Sequence, residues 1–389
     1  MHPAAQRRMP FHTPVRQGTA AFSLRQSLLI SLAPTARKHP MHSQSLIDYG
    51  KPLQPTDAPT PTPMGTEVLL RVSHCGVCHS DIHLQDGYFD LGGGQKLDVR
   101  SNRPMPFTLG HEIAGTVEAT GPEATGVAKG KRYAAYPWIG CGKCGLCARG
   151  DEHLCNAPRA LGITVHGGYA THVVVPHPRY LLDVEGIAPE IAGALMCSGL
   201  TGYSAVKKAI AYLRAGPLLI VGLGGVGMMG LQFARALTDK PIYVADIDAG
   251  KREAAVKLGA AEAFDAADAG ARKAIAKASG GGAGAVIDFA GSDKSLNLAQ
   301  SVVAKGGAAI VVGLIGGSFT LPVPMFPLRA LTVMGSYVGS PAEAVEMLAL
   351  VKAGKVAPIP VELRPLDQTS RSLDDLRAGK IVGRVVVTP

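Results

Sequence analysis

The sequence predicts an α/β protein built from a β-rich lobe and a parallel, doubly wound sheet. Three observations carry that prediction. Between Glu67 and Gly130 the apolar runs are short and strand-like, EVLLRV, HEIAGTVEAT and RYAAYP, and Gly and Pro turns separate them. From Pro189 onward strands alternate with helical stretches: PLLIVG, a helix through Val226 to Leu237, PIYVAD, a helix from Lys251, GAVIDFAG and AAIVVGL. Such alternation implies crossover helices and therefore parallel strands. A glycine-rich turn joins the first of these strands to its helix. After Gly335 a helical stretch, SPAEAVEMLALVKAGK, leads to a last strand, GRVVVTP, placed to return to the first lobe.

With 389 residues and 47% hydrophobic content, the chain is long enough for two cores at roughly 150 residues per domain. Its formal charge of +9 suggests nucleic acid, but the distribution argues otherwise. Six of the nine charges fall in Met1 to Ile47, as Arg7, Arg8, Arg16, Arg25, Arg37 and Lys38, with no Asp or Glu among them. The rest of the chain is nearly balanced, and aromatics are 5%, so no aromatic-rich basic face for nucleic acid is expected. No apolar run approaches the ~20 residues that cross a bilayer, so no membrane association is expected either. The leader, residues 1–44, has either the composition of a mitochondrial presequence or that of an overextended, disordered start.

Six of the seven cysteines fall into zinc-ligand patterns. Cys141, Cys144, Cys147 and Cys155, in GCGKCGLCARGDEHLC, place three thiolates at a spacing that grips one tetrahedral ion, and a fourth closes the site. Four sulfurs leave no open position. That zinc is therefore read as structural, with binding energy that folds its lobe. Clusters of this kind, with an odd cysteine over, favour a reducing compartment and a cytoplasmic location. His153, inside the lobe, reads as a surface residue, and Cys75 as a small buried one.

In PLLIVGLGGVGMMG, Gly222, Gly224 and Gly227 form G-x-G-x-x-G between a strand and a helix, with Gly225 and Val226 inside the turn. Glycines there allow a tight turn and close approach of a pyrophosphate to the helix N-terminus. Asp246 ends the next strand, about 20 residues on, where a carboxylate meets the adenosine ribose of NAD and repels the 2′-phosphate of NADP. Lys251 and Arg252, close behind it, keep that preference open.

Three dispersed segments remain: CGVCHSDIH from Cys75 to His83, GHE from Gly110 to Glu112, and LMCSGLTGY from Leu195 to Tyr203. With the four-cysteine lobe and the dinucleotide turn, they resemble the zinc-dependent medium-chain alcohol dehydrogenase family over about residues 45 to 389. The resemblance implies a GroES-like catalytic domain at 45–198, with 338–389 returning to it, and a Rossmann NAD-binding domain at 199–337. It also implies two zinc ions per chain, NAD as cofactor, a small alcohol or its aldehyde or ketone as substrate, and a homodimer or homotetramer. Cys78, His111 and Cys197 would hold the catalytic zinc and leave a fourth position open. A Lewis acid there lowers the pKa of a hydroxyl, which prepares the alcohol to give up hydride.

By the same resemblance Ser80 would touch the alcohol and His83 would pass its proton to solvent, a role that suits a group titrating near neutrality. Asp81 would orient His111 or else cap a turn. Glu112 would be a transient ligand or a structural charge. His79 and Arg384 would contact the cofactor pyrophosphate or face solvent, and Thr201 would pack on the nicotinamide or only within its helix. Between Cys78 and His111 the stretch LQDGYFDLGGGQKLDVRSNRPMPF is longer than the commonest family pattern, and is expected either to roof the pocket and select substrate or to be a solvated insertion. Trp138, the single tryptophan, would line that pocket or pack in the core. A polyol, sugar or amino-alcohol dehydrogenase is the alternative within the same superfamily. A non-catalytic zinc- or dinucleotide-binding protein is the alternative outside it, and it would show a damaged ligand set.

Overall fold

A computed structural model describes residues 40–100 and 103–389. The acid-free leader lies outside the described residues up to residue 39. Among the described residues no helix is long and apolar enough to cross a membrane.

The β-rich part centres on a sheet of six strands in a row. Their order is Leu181–Asp183, Arg132–Ala135, Glu112–Thr120, Val68–Gly76, Arg384–Thr388 and Val361–Pro365, and His172–Val175 also pairs with Val68–Gly76. The final strand thus comes back from the far end of the chain to sit beside Val68–Gly76, with Val386 opposite Gly76. Residues Pro40–Leu46, Gln54–Pro59 and Phe107–Thr108 form a separate three-stranded sheet.

The second sheet has six parallel strands in the order Glu262–Asp265, Ile242–Asp246, Leu218–Val221, Ala283–Asp288, Val303–Val311 and Thr332–Gly335. Numbered along the chain, that order is 3-2-1-4-5-6, the doubly wound arrangement in which ligands bind where the strand order reverses, between the first and fourth strands. Leu218, Leu219 and Ile220 are fully buried because helices cover both faces. Each such aliphatic side chain contributes about 1.5–3 kcal/mol relative to exposure. Helix Gly225–Leu237 starts directly at the strand-order reversal, and its Gly230 leaves room for the ring of Phe289, which a Cβ would approach to 2.6 Å.

Helix His79–Asp86 carries most of the residues expected to do chemistry. Cys78 is its N-cap in extended conformation, and Asp81, at the third helical position, accepts the Cys78 N–H at 3.0 Å. The helix stops at Gly87, whose φ of 84° turns the chain so that its N–H reaches the His83 carbonyl at 2.8 Å. Part of the long segment beyond it is regular. Tyr88–Gly92 and Gln95–Asp98 pair as an antiparallel hairpin.

Candidate active site and metal centres

Cys78, His111, Glu112 and Cys197 converge although the chain separates them widely, and their ligand atoms all lie within 4.8 Å of one another. Each comes from the end of a regular element. Cys78 caps helix His79–Asp86, His111 and Glu112 open strand Glu112–Thr120, and Cys197 caps helix Ser198–Ile210. All four are buried.

The orientation of His111 is set from behind. Its Nδ1 lies 3.2 Å from Asp81 Oδ1, and its Nε2 lies 3.3 Å from the Cys197 sulfur. Around a tetrahedral zinc with bonds near 2.1 and 2.3 Å, nitrogen and sulfur stand about 3.6 Å apart, so the donors already sit near the spacing the ion requires. Asp81 is itself held by further donors: the N–H groups of Cys78 and Gly110 and the hydroxyl of Tyr169, at 3.0, 3.3 and 2.8 Å. Sequence reasoning missed Tyr169, which lies 88 residues from Asp81 and in none of the motif segments.

Electrostatics concentrate negative charge on Cys78 and positive charge on His111. Burial disfavours a charged His111, but the Asp81 carboxylate beside it, together with Cys78, outweighs burial and holds its pKa well above the usual value. Hydrogen bonding from Cys197 pulls the Cys78 thiol well below its ordinary range against the cost of burial, with His111 assisting. The Cys197 thiol, donating to Cys78 and itself buried, is pushed up. Burial raises Glu112, opposed by Arg384, whose guanidinium donates from Nη2 to Glu112 Oε1. Among the described residues the second Glu112 oxygen has no hydrogen-bond partner. Two sulfurs and an imidazole, with a carboxylate at hand, are a donor set that suits zinc.

The second cluster is Cys141, Cys144, Cys147 and Cys155. Sulfur separations of 3.5 Å (Cys144–Cys147), 3.8 Å (Cys144–Cys155) and 4.0 Å (Cys141–Cys147) bracket the about 3.8 Å edge of a tetrahedron with 2.3 Å zinc–sulfur bonds. The N–H groups of Lys143 and Cys144 hold the Cys141 thiol down to about 6, and burial pushes Cys147 up to about 11. Cys75 is buried and stands outside both clusters, as expected. His153 differs from the expected surface residue: it is partly buried, and its Nδ1 has no partner among the described residues. With Trp138, Leu154, Pro158, Ile163 and Tyr337 it lines a cavity of about 300 Å³. Trp138 donates its Nε1–H to the Met196 carbonyl at 2.9 Å and lies with its ring centroid 5.5 Å from that of His111. It therefore belongs both to the core and to the wall beside the metal cluster.

At the reversal of strand order, Gly222 adopts φ 88°, and a Cβ there would meet the Ala290 nitrogen at 2.8 Å. A Cβ on Gly227 would fall 1.9 Å from the Gly222 carbonyl oxygen, so strand and helix meet there backbone to backbone. At Gly224 a Cβ would meet nothing within 4 Å, which leaves an open face for a ligand at the helix N-terminus. Val226 follows in the first turn of that helix. Asp246 ends strand Ile242–Asp246 and accepts the Leu223 N–H at 2.6 Å, which ties the carboxylate to the glycine turn. Lys251 lies in the first turn of helix Ala249–Lys257 and donates its N–H to Asp248. Arg252 bonds the Asp246 carbonyl at 2.8 Å and pairs with Asp265 at 3.1 Å.

Arg384 joins the two regions. Its side chain packs against Gly225 so closely that a Cβ there would come within 2.2 Å of the Arg384 Cδ, while its guanidinium holds Glu112. Thr201 is buried one turn beyond Cys197, whose carbonyl accepts its N–H at 2.8 Å. Ser80 is half-buried, and His79 is exposed on the first turn after Cys78. His83 is partly buried, its Nε2 has no partner among the described residues, and its ring centroid lies 4.5 Å from that of Phe89. Burial lowers its pKa, against the raising influence of Asp86.

The alcohol dehydrogenase GroES-like domain family matches residues 64–185, and the zinc-binding dehydrogenase family matches residues 225–353. The NAD-dependent alcohol dehydrogenase of Sulfurisphaera tokodaii is 38% identical over 351 residues, spanning 90% of this chain and 100% of that protein. That of Saccharolobus solfataricus is 36% identical over the same shares of both chains. The crystal structure of the alcohol dehydrogenase from Aeropyrum pernix superposes with a TM-score of 0.81 at 29% identity, covering 90% of this chain and 100% of that one. With two cysteine-rich clusters of zinc geometry and a glycine turn at the strand-order reversal, this chain belongs to the zinc-dependent medium-chain alcohol dehydrogenase family.

Proposed function

We propose that the chain interconverts an alcohol and its aldehyde or ketone, with NAD as hydride acceptor and a zinc ion held by Cys78, His111 and Cys197. The observation that carries this reading is Arg384, which touches both Glu112 in the metal cluster and Gly225 in the dinucleotide turn. One side chain thus links the metal cluster to the dinucleotide turn.

The enzyme is an oxidoreductase acting on CH–OH donors. Bound zinc supplies Lewis acidity toward the hydroxyl, and NAD supplies the hydride acceptor. The chain's own residues do the rest. Asp81 fixes the His111 tautomer so that Nε2 faces the ion. Ser80 contacts the substrate hydroxyl, and His83 carries its proton to solvent. Glu112 holds Arg384 and offers an alternative ligand. Gly222, Gly224, Gly225, Val226 and Gly227 would hold the pyrophosphate with Arg384 and His79, while Asp246 and Lys251 would bind the adenosine ribose and Thr201 the nicotinamide. Cys141, Cys144, Cys147 and Cys155 hold a structural zinc, which gives two ions per chain. Trp138 walls the substrate side.

The same reading assigns residues 45–198 and 338–389 to the catalytic domain and 199–337 to the cofactor domain, and locates the enzyme in the cytoplasm. It also makes the protein a homodimer or homotetramer. The edge strand Thr332–Gly335, flanked by exposed Val323 and Leu328, supports association through the parallel sheet.

The test is NADH absorbance with zinc-replete protein across primary, secondary, aromatic and polyol alcohols, with NADP in parallel. Turnover of one alcohol class with NAD, abolished in Cys78→Ala while zinc at the four-cysteine site persists, is expected. Silence across the panel would overturn the reading.

A further inference from the structure

The hairpin Tyr88–Asp98 touches more than its own lobe. Its Asp90 carbonyl accepts the Gly317 N–H at 3.3 Å, and a Cβ on Gly316 would fall 2.6 Å from that same oxygen. On the other side, a Cβ on Gly92 would fall 2.6 Å from the Ser318 nitrogen. The two backbones meet directly, and glycine on both faces is what permits it. Residues Gly313 to Gly316 are in turn bonded to the end of strand Ala283–Asp288. The Gly313, Ile315 and Gly316 N–H groups donate to the carbonyls of Asp288, Ala290 and Gly291, at 3.0, 3.2 and 3.0 Å. Ala290 stands against Gly222 of the dinucleotide turn. At its other end the hairpin presses the Phe89 ring onto His83.

A continuous contact path therefore runs from the dinucleotide turn through Ala290–Gly291, Gly316–Gly317 and Asp90 to Phe89 and His83. We propose that the hairpin is a positioning strut: Phe89 and the Asp90–Gly316 contact hold the His83 imidazole where it receives the substrate proton, with Gly316–Gly317, Ala290–Gly291 and the dinucleotide turn behind them as their anchor. This rests on His83 as the proton exit. In that reaction hydride leaves the carbinol carbon for the nicotinamide and the hydroxyl proton leaves through His83 to solvent, giving carbonyl, NADH and one proton. A rigid ring packed on one side and a carbonyl-anchored hairpin behind it keep the base within reach of that proton, and a displacement of about 1 Å in such a group costs up to about 100-fold in rate.

The experiment measures kcat as a function of pH for one alcohol, with and without added imidazole, in the full-length holoenzyme and in His83→Ala, Phe89→Ala, Phe89→Leu and Gly316→Ala. In Phe89→Ala and Gly316→Ala, kcat at neutral pH should fall about tenfold or more. The loss should shrink as pH rises, and imidazole should restore part of it, as in His83→Ala. Phe89→Leu, which keeps the apolar contact, should stay nearer the parent and supplies the comparison if Gly316→Ala fails to fold. If His83→Ala is rescued by imidazole but the hairpin variants keep the parent profile, or lose activity without rescue, the strut is overturned and His83 stands. If His83→Ala keeps full activity across pH, the proton-exit role itself is wrong.

Discussion

The carboxylate of Asp81 stands 3.2 Å from the imidazole of His111, and both side chains are fully buried. Asp81 meets only donors there: two backbone N–H groups, the Tyr169 hydroxyl and His111 Nδ1. A carboxylate is acceptor-only and satisfies all four, whereas an amide in either orientation turns its NH2 group toward a backbone N–H, that of Cys78 or of Gly110. Asp81→Asn is therefore expected to weaken zinc at Cys78, His111 and Cys197 by about 10- to 100-fold. Zinc retained after dialysis against a mild chelator should fall toward the four-cysteine ion alone. Full retention would show that Asp81 does not set the ligand.

The glycines of the dinucleotide turn should separate by function. Gly227 is pressed onto the Gly222 carbonyl, and Gly224 faces open space. Gly227→Ala overpacks a backbone contact and should cost about 1–3 kcal/mol of stability. Gly224→Ala, at an ordinary φ of −68°, should leave the melting temperature nearly unchanged and raise the Kd for NAD, because its methyl group occupies the face where a pyrophosphate approaches. Calorimetric melting and NAD titration of both variants check the pair. Equal effects on both quantities would remove the distinction.

How much of this was legible in the sequence depended on distance along the chain. The four-cysteine cluster and the glycine turn were readable because their geometry is local: ligand spacing and a strand–turn–helix context fix it within a few residues. Cys78, His111 and Cys197 are brought together only by tertiary packing, so their spacing carried nothing and resemblance alone named them. Tyr169 and Phe89 were not legible at all, since neither lies in a motif and each acts through a partner chosen by the fold. The segment after Asp86 read as a roofing loop or a solvated insertion, yet YFDLGGGQKLD folds as a hairpin whose tip meets another loop backbone to backbone. Three successive glycines signal the turn, but nothing local announces the distant loop it docks against. Strand Gln54–Pro59 escaped for a different reason. It is polar, two-proline sequence whose pairing is supplied by its partner Pro40–Leu46.

Acid should reveal the ion cluster that ties strand Val361–Pro365 to helix Thr369–Arg377. Arg364 donates to Asp375 at 2.9 Å and to Glu362 at 2.7 Å, and the hydrogen bond from Arg364 holds the Asp375 carboxyl below its usual range. A depressed carboxyl pKa contributes stability above the unfolded value, near 4, and that contribution is lost as pH falls through the folded value. In Arg364→Met the urea midpoint should drop at neutral pH, and the gap from the parent should close in the acid range. A gap that persists undiminished at acid pH would assign the effect to lost packing instead.

Cofactor preference is expected to follow Asp246 and not the basic residues behind it. Lys251 and Arg252 could in principle receive a 2′-phosphate, but Arg252 is already engaged with the Asp246 carbonyl and the Asp265 carboxylate. To meet a phosphate it must give up both, while Asp246 presents a negative charge at the end of its strand. Two like charges about 4 Å apart repel by about 4 kcal/mol at an effective dielectric of 20, enough to exclude NADP by two to three powers of ten. Asp246→Ala should therefore lower kcat/KM for NAD, raise it for NADP and narrow their ratio by at least about tenfold, because removing the charge leaves Lys251 without an opposing carboxylate. Arg252→Leu should leave the ratio close to the parent's. If Arg252→Leu abolishes residual NADP turnover while Asp246→Ala changes nothing, the arginine is free in solution and it, not the carboxylate, selects the cofactor.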